Sequence, residues 1–230
     1  MSQSPQHILT SFDSALAKML DDLHAMASLA QRSIANSRRC LIDGDLDAAK
    51  ASIADDDDID QFEIDVTRDG TVLLMRFQPL ASDLRQVVSA MRLCGDIERV
   101  ADQAVNVARK SRKLDRGRVA LYRDQFAAMY DLAGTLFADS LRAHMDADQV
   151  LARGIRDRDR AIDALNSEIT ERATAEIARD AQSVRDHLAV ILIARHIERI
   201  GDHAKNIAEN AIYAASDTDV RHQKNALPSA

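Results

Sequence analysis

The chain of 230 residues carries 30 Lys and Arg against 37 Asp and Glu, a formal net charge of −7 with histidines neutral. That balance argues against gripping a phosphate backbone by bulk electrostatics. The 46% hydrophobic and 29% charged residues describe a folded soluble chain, and seven glycines, three prolines and no tryptophan leave little material for an all-β fold.

Residues Met1 to Pro5 lack the basic and apolar regions of a secretory leader. The longest uncharged apolar run, Leu188 to Ala194, is far shorter than the roughly 18 residues that span a bilayer, so a cytoplasmic location is expected. A stripe of Phe12, Leu16, Met19, Leu23, Met26, Ala30 and Ile34 recurs at three- and four-residue steps and predicts a first amphipathic helix. Gly44 suits its C-terminal cap and Asp45 the N-cap of a second helix from about Leu46 to Phe77, with Gly70 as a candidate kink. The acidic run Asp55 to Asp58 in its middle reads as a solvated face. Pro79 forces residue 78 out of helical geometry. A third helix then carries Leu84, Val87, Met91, Cys94, Ile97, Ala101, Ala104 and Ala108, and a loop follows around Leu114 to Arg118. Ser82 and Ser183 read as helix N-caps, and Arg85 and Arg185 as groups able to project toward an anion or the acidic pairs. Cys40 and Cys94 make no metal spacing and read as buried or free thiols of a reducing compartment.

The pattern then repeats. One helix carries Phe126, Met129, Leu132, Leu136 and Leu141, a second runs from about Asp146 to Arg179, and a third carries Val184, Leu188, Ile191, Ala194, Ile197, Ala204, Ile207, Ala208 and Ala211. Residues 97–108 and 197–208 are identical at seven of twelve positions, with Val/Ile and Ala/Gly exchanges among the rest. The expected architecture is all-α: a three-helix bundle over 1–114, a second over 115–216, and a polar tail over 217–230.

The repeats share acidic pairs spaced i,i+4: Asp56/Asp60 with Glu98/Asp102 in the first, Asp159/Asp163 with Glu198/Asp202 in the second. That spacing puts both carboxylates on one helix face, about 5–6 Å apart at Cβ, where like charges cost about 0.2–0.5 kcal/mol per pair. If the second and third helices of a bundle face each other there, four carboxylates converge, and oxygen-only donors suit hard cations. The alternative is ordinary ion pairing with Arg99, Arg195 and Arg199. A ferritin-like di-metal enzyme would want histidine three residues after each glutamate, where Ala101 and Gly201 stand. His187, His196 and His203 lack a zinc spacing and read as core or solvated side chains, and no Walker loop, nucleophile elbow or H-E-x-x-H motif is present.

The doubled Ile-Glu-Arg-x-x-Asp stretches at 97–102 and 197–202 carry a resemblance. With them go the opening His7 to Phe12, the segment Pro79 to Arg85, and Ala211 to Tyr213 with Asp219 to His222. The chain resembles the PhoU family of phosphate-specific transport system accessory proteins over nearly everything from His7 to His222. The resemblance implies two similar three-helix bundles and a cytoplasmic, homodimeric negative regulator that is not an enzyme. It implies partners, namely the ATPase subunit of a phosphate ABC transporter and a phosphate-sensing histidine kinase, with no nucleic acid and with membrane contact through partners. It also implies a multinuclear metal cluster of iron, or of Mg, Mn or Zn, at Asp56, Asp60, Glu98, Asp102, Asp159, Asp163, Glu198 and Asp202. The chain departs from the family pattern at Ala101, where glycine is common and the second copy keeps Gly201, and at Ser183-Val184-Arg185, which replaces Ser-Asp-Leu-Arg. A carboxylate-bridged di-metal enzyme and a purely structural helical adaptor are the alternatives.

Overall fold

The computed structural model describes residues 5–216, and among these no strand occurs. Seven α-helices follow in order: α1 Pro5–Asp43, α2 Leu46–Phe77, α3 Ala81–Ser111, α4 Arg116–Leu121, α5 Arg123–Met145, α6 Gln149–Arg179 and α7 Val184–Ser216, with a 3₁₀ turn at Ala181–Ser183. No helix among the described residues is long and apolar enough to cross a membrane. The polar tail expected over 217–230 lies outside the described residues.

Helix ends follow local chemistry. Gly44, at φ +77°, ends α1, and its N–H and that of Asp45 return to the carbonyls of Cys40 (3.1 Å) and Arg39 (3.3 Å). The Asp45 carboxylate accepts from the N–H groups of Asp47 (3.1 Å) and Ala48 (2.9 Å), capping α2. The last carbonyls of α1 are taken by guanidinium groups from the second half of the chain. Arg116 donates to Leu41 and Ile42 at 2.7 Å each, and Arg123 donates to Ile42 at 2.6 Å.

Several expectations are corrected. α2 runs unbroken through Gly70, which serves a close approach instead of a kink: a Cβ there would stand 2.7 Å from Met91 Cγ. Ser82 does not cap α3; Leu80 holds that place, and the Ser82 hydroxyl donates to the Asp83 carboxylate. At the second joint Asp180 caps the 3₁₀ turn, and the Ser183 hydroxyl donates to the Asp180 carbonyl. The expected loop at 114–118 contains the start of α4, because Asp115 accepts from the Arg118 N–H and nucleates a turn. The run Asp55–Asp58 is not uniformly solvated, since Asp55 is buried against a two-point ion pair from Arg32 (2.7 and 2.9 Å) while Asp57 and Asp58 are exposed. Leu84, Val184 and Leu188 are exposed, because they lie on the solvent side of their helices while Val87 and His187 of the same turns face inward.

The stripe from Phe12 to Ile34 is buried throughout, as are Val87, Cys94, Ile97, Ala101, Ala104 and Ala108. Helices α1, α2 and α3 pack on one another, and so do α5, α6 and α7. The two bundles join where α3 lies along α7 and α1 along α5, and one continuous apolar core runs through both. Paired polar groups fix the register of that junction. His203 Nδ1 donates to Asp96 (3.0 Å) and His196 Nδ1 to Gln103 Oε1 (2.8 Å), so positions 96/203 and 103/196 form the same contact from opposite repeats. Tyr130 donates to Ser37 (3.0 Å), and Ser89 shares a hydrogen bond with His144 (2.8 Å). Burial lowers His144 and His196 to about 4, so both rings are neutral at pH 7. The cysteines are buried free thiols; Cys94 is pushed up to about 12 by burial.

Candidate functional site

Because α2 runs antiparallel to α3 and α6 to α7, each acidic pair meets its partner pair across a helix–helix face. The result is two clusters, one per bundle. In each, the inner members are sheltered: the side chains of Asp56 and Glu98 are 17% and 12% exposed, and those of Asp159 and Glu198 are 5% and 12% exposed. Asp102 and Asp202 are half-exposed, and Asp60 and Asp163 are exposed. A carboxylate held among carboxylates and away from water resists ionisation. Glu98 is accordingly raised to about 7, mainly by burial, then by Asp102, Glu63 and Asp60 against the opposing Arg99. Asp56, Asp159 and Glu198 are raised as well, burial again being the largest cause. Asp60 and Asp102 act on both Asp56 and Glu98, and Asp163 and Asp202 on both Asp159 and Glu198, so the eight sequence-identified residues fall into two groups of four.

Basic side chains enter both clusters. Arg109 donates to Asp56 at 2.9 Å, and Arg99 lies 3.2 Å from Glu98 Oε2 and 3.8 Å from Asp102. Arg195 lies 3.5 Å from Glu198. Lys205 is placed differently, with its Nζ donating to Asp159 Oδ2 at 2.8 Å and to Asp202 Oδ1 at 2.6 Å. Burial opposes the lysine charge, but the two carboxylate hydrogen bonds outweigh it and hold the ammonium above its ordinary range.

Sequence reasoning missed three of these residues. Glu63 lies three residues beyond the second acid of α2 and acts on Glu98, but the equivalent position of the second copy is Asn166, so the repeat does not mark it. Arg109 and Lys205 occupy unrelated positions in the two copies, and nothing in the repeat marks them. The histidines stand apart: His196 and His203 are engaged at the α3–α7 junction, while His187 bonds Tyr122 at 3.1 Å.

Among the described residues, no three His, Cys, Asp or Glu side chains close on a common point as metal ligands. The donor set nevertheless suits a hard cation, being all oxygen, mutually repelling and partly unsatisfied. Glu98 Oε2, Asp159 Oδ1 and Glu198 Oε2 are buried without a hydrogen-bond partner, and Arg99 beside Glu98 lacks the alignment for one. Gly201 leaves room for one of them, since a Cβ there would stand 2.8 Å from Asp159 Oδ1.

The two halves are also matched separately by one family, since the PhoU domain aligns to residues 23–111 and again to 126–211. The phosphate-specific transport system accessory protein PhoU homolog of Rhizobium meliloti (strain 1021) is 31% identical over 222 residues, covering 93% of this chain and 90% of that one. The homolog of Pseudomonas putida is 31% identical over 217 residues, covering 94% and 85%. The crystal structure of PhoU from Pseudomonas aeruginosa superposes with a TM-score of 0.84 at 28% identity, over 90% of this chain and all of the other. The phosphate transport system regulatory protein PhoU from Streptococcus pneumoniae gives 0.82 at 25% identity, over 91% and 99%. Repeat, fold and similarity converge, and the chain belongs to the PhoU family.

Proposed function

We propose that the protein is a cytoplasmic, homodimeric negative regulator of phosphate uptake and of phosphate-starvation signalling. It acts by binding the ATPase subunit of a phosphate ABC transporter and a phosphate-sensing histidine kinase, and performs no reaction of its own. The observation that carries this reading is the match of both halves of the chain to one family whose members are named as phosphate transport accessory proteins. The exposed acids Asp57, Asp58, Asp60 and Asp163 offer a surface whose charge would meet basic loops at the cytoplasmic side of a membrane partner. Exposed charges are screened beyond about 8 Å at physiological ionic strength, so such contacts weaken with salt.

A hard cation belongs to the same reading. Asp56, Asp60, Glu98 and Asp102 would hold it in the first bundle, and Asp159, Asp163, Glu198 and Asp202 are the corresponding set in the second. The ion would neutralise carboxylates that otherwise repel one another, tying α2 to α3 without chemistry at the metal.

The regulatory reading is tested by deleting the gene in its source organism and measuring phosphate-responsive transcription in phosphate-rich medium. Loss of repression, restored by the intact gene, is expected. Full repression in the deletion strain, with no second copy of the gene to compensate, would falsify it.

A further inference from the structure

The repeats agree in their carboxylates and disagree in their cations. At position 105 the first copy has Val105, fully buried, and one turn further on Arg109 reaches Asp56 from a side chain that is 48% exposed. One hundred residues later the same two positions are Lys205 and Glu209. Lys205 comes from inside the cluster, is 27% exposed, and spans from α7 to α6 by holding Asp202 and Asp159 together. A positive charge between an acid of the second helix and an acid of the third occupies the place that a bridging metal ion would take.

The remainder of that cluster is built as a cation seat. Asp159 is 3% exposed and its Oδ1 has no hydrogen-bond partner. Glu198 is 9% exposed with an equally unpartnered Oε2. The missing side chain of Gly201 lets Asp159 Oδ1 pack close against α7, where the first copy carries the methyl of Ala101. The second cluster thus has donor oxygens to spare and a lysine already among them. A divalent ion drawn to Asp159 and Asp202 would have to displace two charge-assisted hydrogen bonds and sit against an ammonium.

We propose that Lys205 is a built-in cation that closes the second acidic cluster to divalent metal. The proposal rests on the reading above that these carboxylates suit a hard cation, and it makes the two copies different in kind. In the first bundle Val105 presents no charge, and the corresponding place between α2 and α3 is left without an ammonium.

The test counts Mn²⁺ bound to chelator-stripped full-length protein by electron paramagnetic resonance of the free ion. Lys205→Val, which copies the first repeat, and Lys205→Gln, which keeps the length of a polar side chain, are each expected to bind one ion more per chain than the unaltered protein. Adding Asp202→Asn to either should remove that ion, and Mn²⁺ should raise the melting temperature of the Lys205 variants more than that of the unaltered chain. The proposal is overturned if Lys205→Val and Lys205→Gln, folded by circular dichroism, gain no ion. It is overturned equally if Asp202→Asn lowers the Mn²⁺ count while Lys205 is present, an arm that needs no Lys205 variant to fold. Asp102→Asn reports on the first cluster separately. A chain that binds no Mn²⁺ until Lys205 is replaced would end the metal reading for the first bundle and leave this proposal standing.

Discussion

In the first bundle four carboxylates face one another across α2 and α3, and the neutralising guanidinium of Arg109 approaches from the rim, touching only Asp56. In the second, Lys205 rises between the helices and binds one acid on each. The same acidic letters therefore meet different electrostatic fates. The repeats share the source of repulsion, whereas the cations that relieve it are different residues at different turns of the third helix. A cation at the rim leaves the place between the helices without a charge, whereas one rising between them fills it.

Removing the two cations gives the largest contrast. Lys205→Ala leaves Asp159 as a buried carboxylate without its partner, which costs about 3–5 kcal/mol. Arg109→Ala removes an ion pair whose basic half is solvated, worth about 0–1 kcal/mol. Urea unfolding at pH 7 in the presence of chelator measures both, and similar losses for the two variants would contradict the contrast. Next in size is Gly201→Ala. Its methyl would stand 2.8 Å from Asp159 Oδ1 and 2.9 Å from Ile162 Cδ1, and displacing them costs about 1–2 kcal/mol after the gain in helix propensity is counted. Because the clash and the lysine both act on Asp159, Gly201→Ala combined with Lys205→Ala should lose less than the sum of the two. Strict additivity would show that Asp159 does not link them.

Acidity gives a further measure of the first cluster. The folded chain holds a proton on Glu98 that the unfolded chain gives up between about pH 4.5 and 7, so stability falls as pH rises through that window. Glu98→Gln removes the dependence. It should stabilise the metal-free protein by about 1–2 kcal/mol at pH 8, allowing for solvent screening, and change little at pH 4.5. Thermal melts across that range in chelator decide it, and an equal effect at both pH values would mean that Glu98 ionises in the folded chain as it does in the unfolded one.

Much of this molecule was legible in the sequence because its periodic features were written twice. The buried stripe from Phe12 to Ile34, the cap at Gly44-Asp45 and the eight carboxylates each follow from spacing alone. Features that depend on a neighbour from elsewhere in the chain were not legible. Gly70 reads as a kink in the sequence, yet Met91 fills its space, and Asp55 reads as solvated, yet Arg32 lies across from it. Arg116 and Arg123 gave no hint that they would close the end of α1. Lys205 was hidden for the same reason. A lysine at one register of an amphipathic helix carries no sign that it turns inward, and the partner repeat offers valine.

The smallest effect is also the most direct measure of how far the charge of Lys205 reaches. Asp60 and Asp163 are exposed acids, each one turn from a sheltered acid on the same helix, at the spacing where like charges repel. Replacing either by Asn removes repulsion worth about 0.2–0.5 kcal/mol, so both variants should be slightly more stable at low salt. The gains should not be equal. Asp163 acts on Glu198 and on Asp159, whose charge the sheltered ammonium of Lys205 offsets, whereas Asp60 acts on Asp56, offset only by a solvated arginine, and on Glu98 with none in hydrogen-bonding alignment. Asp60→Asn should therefore gain more than Asp163→Asn, and salt should shrink both gains toward zero, since these charges lie open to the solvent. Paired urea titrations at low and high ionic strength resolve the difference. Equal gains at low salt would show that the ammonium screens only the two oxygens it touches.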